Sequence, residues 1–222
     1  MEAKPPSFVP MPQHMLPFQP EGVEIVLWRI RELVDQGHEL QPHFPQRNVA
    51  ELSESRKKEH WTVCLALHAM LGHQKWHLTH DETGKPWLHL DDTNEPRALS
   101  LSHCERGNET WAAVARWDDG RKTGGIDLVM TTDPRVARVA QRVLSPEEQT
   151  LWSGRESWAW AAKEAMFKGH GPALAFQTDA ILQEITEPSD LPIGFLRGSV
   201  RGSEWKGSWT LLEKDLLLVW AE

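Results

Sequence analysis

Apolar and polar positions along this chain follow two different periods, and the switches between them outline its elements. The run Val23 to Ile30, VEIVLWRI, is β-branched and alternating, which predicts a strand because successive side chains of an extended chain face opposite ways. In SRKKEHWTVCLALHAMLG, residues 55–72, Trp61, Leu65, Leu67 and Leu71 recur near helical spacing and Gly72 offers a C-terminal cap. DETGKPWLHL turns at Gly-Lys-Pro into a short strand, while RALSLSHC and TWAAVARW read as two neighbouring strands around a polar turn. The pattern restarts at Gly124. GGIDLVM is a short apolar strand, and TTDPRVARVAQRVL opens a helix with Thr132 or Asp133 as cap and Pro134 as first residue. SPEE at 145–148 has the form of a capping box, and a further helix runs through ESWAWAAKEAMFKG. IGFLRGSVRG, EWKGSWTLLE and KDLLLVWAE end the chain as a three-stranded antiparallel meander.

Each half thus supplies helices and an antiparallel sheet, which predicts an α+β fold of two similar-sized lobes. The expected boundaries are a Pro-rich arm at 1–22, an N-terminal lobe at 23–123 and a C-terminal lobe at 124–222. A length of 222 residues and a 40% hydrophobic composition suffice for a substantial core. Cys64 and Cys104 are too few for a disulfide framework, which suits a reducing cytoplasm. No apolar run approaches the ~18 residues of a membrane span, so a soluble protein without a membrane partner is expected. A formal net charge of −8 repels phosphate backbones and argues against nucleic acid as a partner. An anionic ligand therefore needs a focused cationic site.

Candidate chemistry begins with WAAKEAMFKG, residues 160–169, where helical spacing puts Lys163, Glu164 and Lys168 on one stripe with Trp160 and Phe167. Asp127 stands inside the apolar run Ile126 to Met130, where an ionised carboxylate needs a cation, a cap or a salt bridge. Taken alone, Glu164 and Lys168 form an ordinary helix pair worth ~0.3 to 0.5 kcal/mol, which leaves Lys163 unexplained. Two carboxylates and two lysines converging suit Mg²⁺ and phosphate chemistry, since Mg²⁺ takes oxygen ligands and shares its shell with substrate phosphates. Lys85 on its Gly-Lys-Pro turn, Ser102 and His103 add phosphate donors.

GIDLV at 125–129 followed by WAAKEAMFK at 160–168 resembles the paired signatures of the 4′-phosphopantetheinyl transferase superfamily, Gly-Ile-Asp-Ile-Glu and Trp-Ser-x-Lys-Glu-Ala-x-x-Lys. DETGKP, LSLSHC and SRKKEHW resemble the family's upstream elements in the same order, and the likeness, from about Trp28 to Phe176, is to the larger, single-chain, surfactin-synthetase-activating type. The resemblance implies a pseudo-twofold fold with coenzyme A and Mg²⁺ in an interlobe cleft. Asp127 and Glu164 become metal ligands and, with Lys168, the catalytic set. Lys85, Pro86, Ser102, His103, Lys163 and Lys168, with Arg56 and Lys57 at the basic helix start, become coenzyme A contacts. The implied reaction moves the phosphopantetheine arm to a serine of an apo acyl or peptidyl carrier protein, and the implied state is a monomer.

The pattern departs at two places. Val129 stands where the larger members carry a third acid, and Leu65 and its neighbours lack an arginine that helps bind the 3′-phosphate. These departures favour a second reading, a catalytically impaired relative that binds coenzyme A or a carrier protein. Arg135, Arg138 and Arg142 repeat at helical spacing, as either a solvated face or a docking stripe for an acidic carrier helix. A His-rich metal hydrolase built on HLTH is the weakest reading, because His77 and His80 lack the i, i+4 spacing and the adjacent Glu of a helical zinc site.

Overall fold

The computed structural model describes residues 16, 20–31, 41–72, 74–93, 95–117, 124–188 and 192–221. Most of the Pro-rich arm expected at 1–22 lies outside them. The alternating run at the start forms β1 (Val23–Ile30), and after two 3₁₀ turns, Gln41–His43 and Val49–Glu51, comes α1 (Glu54–Leu71). Then follow β2 (Trp76–His80), β3 (Pro86–Leu90), β4 (Arg97–Ala98), β5 (Ser100–Arg106), β6 (Glu109–Trp117) and β7 (Ile126–Met130). Three helices, α2 (Pro134–Val143), α3 (Pro146–Leu151) and α4 (Glu156–His170), precede β8 (Ala180–Thr186), β9 (Gly194–Val200), β10 (Ser203–Glu213) and β11 (Leu216–Ala221).

Local chemistry sets the helix ends. Ser53 accepts from the Arg56 amide to start α1, and Gly72 closes it with φ 61°, a left-handed conformation that only glycine adopts cheaply. Asp133, not Thr132, caps α2, and the capping box at Ser145 and Glu148 is complete.

The strands pair antiparallel throughout, in the orders β1-β6-β5, β2-β3-β4 and β7-β11-β10-β9-β8. The C-terminal meander is therefore larger than the three strands expected. β8 adds to its outer edge and β7 pairs with the last strand, Asp127 opposite Val219. β2 and β8 had no expectation attached to them.

Period-two alternation in the central strands sorts the core into layers. In β6, Ala112 and Val114 face α1, whereas Trp111, Ala113, Ala115 and Trp117 face the five-stranded sheet. In β11, Leu216, Leu218 and Trp220 meet those residues, and Leu217, Val219 and Ala221 face α4. The result is an α+β stack of helix, sheet, sheet and helix, with strands buried on both faces. The middle layer, joined by Ile25, Leu27, Ile126, Leu128 and Leu16, fuses the halves. No described helix is long and apolar enough to cross a membrane.

Candidate active site

Gly125 lets α4 lie directly on the start of β7. A Cβ there would sit 1.9 Å from the Ala165 carbonyl oxygen, so no other residue permits this approach. The alternation of β7 then puts Ile126 and Leu128 in the middle layer and turns Asp127 and Val129 toward α4.

Asp127 is buried and held by two donors on the same oxygen. The Ser102 hydroxyl donates to its Oδ1 at 2.8 Å, and Lys168 Nζ donates to the same atom at 2.6 Å. Lys168 also donates to the Ile126 carbonyl at 3.0 Å. Ser102 in turn accepts from the Leu128 amide, and Ser100 from the Ile126 amide, both at 3.0 Å, so the two serines of β5 lace that strand to β7. Oδ2 takes no hydrogen bond among the described residues and is left for a further ligand.

Glu164 lies one turn before Lys168 on α4 and shares the space of Asp127. Burial, with the Asp127 charge adding to it, pushes its carboxyl up to about 7, and the Lys168 ammonium only partly offsets this. Two neighbouring carboxylates, one with an open oxygen and one whose ionisation is opposed by burial and by the first, fit a hard dication such as Mg²⁺.

Lys168 connects this pair to a cavity of about 280 Å³ shared by both halves of the chain. Arg47, Arg56, Lys85 and Lys168 line it, with Phe44, Pro86 and Phe167 among its apolar walls. Arg56 reaches Glu59 at 2.7 Å and His103 Nε2 lies 3.5 Å from the same carboxylate. Desolvation lowers His103 from the usual imidazole range, Glu59 opposes this, and Lys168 and Arg56 add to the fall. His60 and His80, also in the lining, are lowered chiefly by burial. The cavity therefore carries its positive charge on arginines and lysines, a focused cationic site in a chain of net charge −8.

The expected site residues do not all converge. Lys168, Lys85, Pro86, His103 and Arg56 line the cavity, and Asp127 and Glu164 interact with Lys168 at its margin. Lys163 does not. Its side chain is 0% exposed, and its ammonium donates to Glu148 at 2.6 Å, Phe176 O at 2.6 Å and Val143 O at 3.1 Å, so it is no phosphate contact. The five-residue stripe splits instead. Glu164 and Lys168 take one margin, while Trp160 and Phe167 stack on Phe176 beside Lys163. Ser102 is spent on Asp127, and Lys57 is held by Glu54 at 3.0 Å outside the cavity lining. Phe44, Arg47 and His60 escaped sequence reasoning because none lies in a recognisable spacing, and His80 enters it only through HLTH, with no link to this cavity.

No curated protein matches the chain. Residues 124–217 match the family model described as the 4′-phosphopantetheinyl transferase superfamily. With β7 and α4 carrying Asp127, Glu164 and Lys168 inside that match, this part of the chain is a 4′-phosphopantetheinyl transferase superfamily domain.

Proposed function

We propose that the protein transfers the 4′-phosphopantetheine arm of coenzyme A to a serine hydroxyl of an apo acyl or peptidyl carrier protein. The observation that supports this best is the grouping of Asp127, Glu164 and Lys168 beside a cavity lined by Arg47, Arg56 and Lys85. In this reading the cationic cavity takes the nucleotide phosphates, and its apolar walls at Phe44, Pro86 and Phe167 shelter uncharged parts of the ligand. Asp127 Oδ2 and Glu164 would hold Mg²⁺, which when bound supplies positive charge to the diphosphate. Lys168, fixed by Asp127 and the Ile126 carbonyl, directs its remaining positive field at the same phosphates. The carrier serine attacks the β-phosphorus and its proton passes to Glu164 or to a water beside it. The bond to the leaving phosphate breaks and 3′,5′-ADP departs. Both walls of the cavity come from one chain, which supports the reading of a monomer, and the proposed substrates suit a cytoplasmic enzyme.

Incubation with coenzyme A, Mg²⁺ and a panel of apo carriers, read by intact mass, tests the reading. Transfer is expected, with Glu164→Gln and Asp127→Asn each lowering the rate by ~10²-fold or more, far beyond any loss of folded protein. Full turnover in both variants would remove their role. The second reading, a coenzyme A or carrier-binding relative without turnover, draws on Val129, which packs in the α4 core layer and offers no third carboxylate. Tight coenzyme A binding with no mass change on any carrier selects it.

A further inference from the structure

Cys64 and His68 stand one turn apart on α1, and the 3₁₀ turn Gln41–His43 brings His43 beside them. Cys64 Sγ lies 3.5 Å from His68 Nδ1, and the His43 and His68 rings meet edge-on at 5.0 Å. One donor atom from each of the three residues falls within 4.8 Å of the others. In a four-coordinate site with Zn–S near 2.3 Å and Zn–N near 2.0 Å, ligand atoms stand roughly 3.5 Å apart, so closing the set takes side-chain movement, at His68 including a ring turn, because the Nδ1 beside Cys64 Sγ is the nitrogen bonded to the Cys64 carbonyl.

Backbone carbonyls fix the tautomer of both imidazoles. His43 Nδ1 bonds the Trp76 carbonyl at 3.0 Å, and His68 Nδ1 bonds the Cys64 carbonyl at 3.0 Å. A ring that donates Nδ1–H to a carbonyl presents an unprotonated Nε2, the outer-shell arrangement that ligating histidines use. Trp76 stacks on His43 at 4.1 Å and fixes its plane. An all-apolar trio would fill this space without the desolvation cost of three polar groups.

We propose that His43, Cys64 and His68 bind a thiophilic divalent cation of the zinc class. One thiolate and two imidazoles select a borderline-soft metal over Mg²⁺ or Ca²⁺, so this site and the carboxylate pair accept different ions. Coordination releases the Cys64 thiol proton to solvent. It also ties the 41–47 segment to α1, and Phe44 and Arg47 of that segment, with His60 and Val63 of α1, line the cavity. Metal at His43 therefore stiffens the cationic cavity wall.

The test is titration of Co²⁺ into the metal-stripped full-length protein. We expect one equivalent bound with a thiolate-to-cobalt charge-transfer band that Zn²⁺ displaces. His43→Gln and His68→Gln weaken binding by ~10-fold or more, Cys64→Ser abolishes the band and Cys104→Ser keeps it. Absence of the band in the folded wild-type protein, or its survival in Cys64→Ser, overturns the site. The readout needs no coenzyme A or carrier, so its failure leaves the transferase reading standing.

Discussion

Glu164 and Lys163 are adjacent on α4 yet meet opposite fates, one facing Asp127 without a cationic bond and the other sealed against Glu148. The Glu164 carboxyl keeps its proton to about pH 7 in the folded protein and to about 4.5 in an unperturbed chain. Between those values the folded state binds more protons, so stability is full below about 4.5, falls as pH rises through about 7, and stays reduced above. Glu164→Gln removes the dependence. It is expected to stabilise the protein by roughly 1 to 3 kcal/mol at pH 8 and to leave stability at pH 4 unchanged, measured by urea unfolding at both values. Equal effects at the two pH values would show that Glu164 carries no raised carboxyl. If the carboxylate pair holds Mg²⁺ as proposed, adding it to the wild type is expected to stabilise more at pH 8 than at pH 5, because a dication binds the ionised form.

Among the elements, the capping box of α3 does more than start a helix. Glu148 Oε2 accepts from the Ser145 amide at 2.8 Å and from Lys163 at 2.6 Å, and Oε1 accepts from the Leu182 amide at 2.8 Å. One carboxylate thus joins α3, α4 and β8, and burial lowers the Lys163 ammonium against the support of Glu148. Lys163→Met strands a buried carboxylate and is expected to cost about 3 to 5 kcal/mol, whereas Lys163→Met with Glu148→Gln costs less than the sum of the single changes. Urea denaturation of the four proteins measures the coupling; a single-variant cost under about 1 kcal/mol would show that the pair is dispensable. SPEE announced the cap because its partners are three residues apart. Nothing local announced the bond to Lys163, fifteen residues on. The same limit governs the site. Gly-Ile-Asp and Lys-Glu-Ala made Asp127, Glu164 and Lys168 legible, but helical spacing defines a face too broad to separate Lys163 from Glu164. Arg47 and Phe44 reach the cavity only through the tertiary placement of an irregular segment. Strand alternation exposed β1, β6 and β11, while Trp76–His80 hid in a run of histidine and threonine whose half-buried face is polar.

At the scale of the whole molecule, the two halves of the cavity are held by the middle apolar layer and by ion pairs at one edge of it. Arg106 bonds both Glu213 and Asp215, the latter at 2.9 Å, and Arg29 lies 3.6 Å from Glu213. These groups are partly exposed, so each contributes little, on the order of 0 to 1 kcal/mol, and less in high salt. The middle layer dominates. Separating the halves exposes Ile126, Leu128, Met130, Leu216, Leu218 and Trp220 on one side and Ile25, Leu27, Trp111 and Trp117 on the other, far more apolar area than either lobe tolerates alone. The boundary near residue 124, where the superfamily match begins, therefore marks a unit of sequence and not an independent folding unit. Unfolding of the full chain is expected to be a single transition by tryptophan fluorescence and far-ultraviolet circular dichroism, with Leu218→Ala lowering stability by about 2 to 5 kcal/mol without splitting it. The isolated 124–222 fragment should lack a cooperative transition and bind an apolar dye. A fragment that unfolds cooperatively on its own, or two separated transitions in the full chain, would mean that the lobes stand independently and that the cavity between them can open without breaking the core.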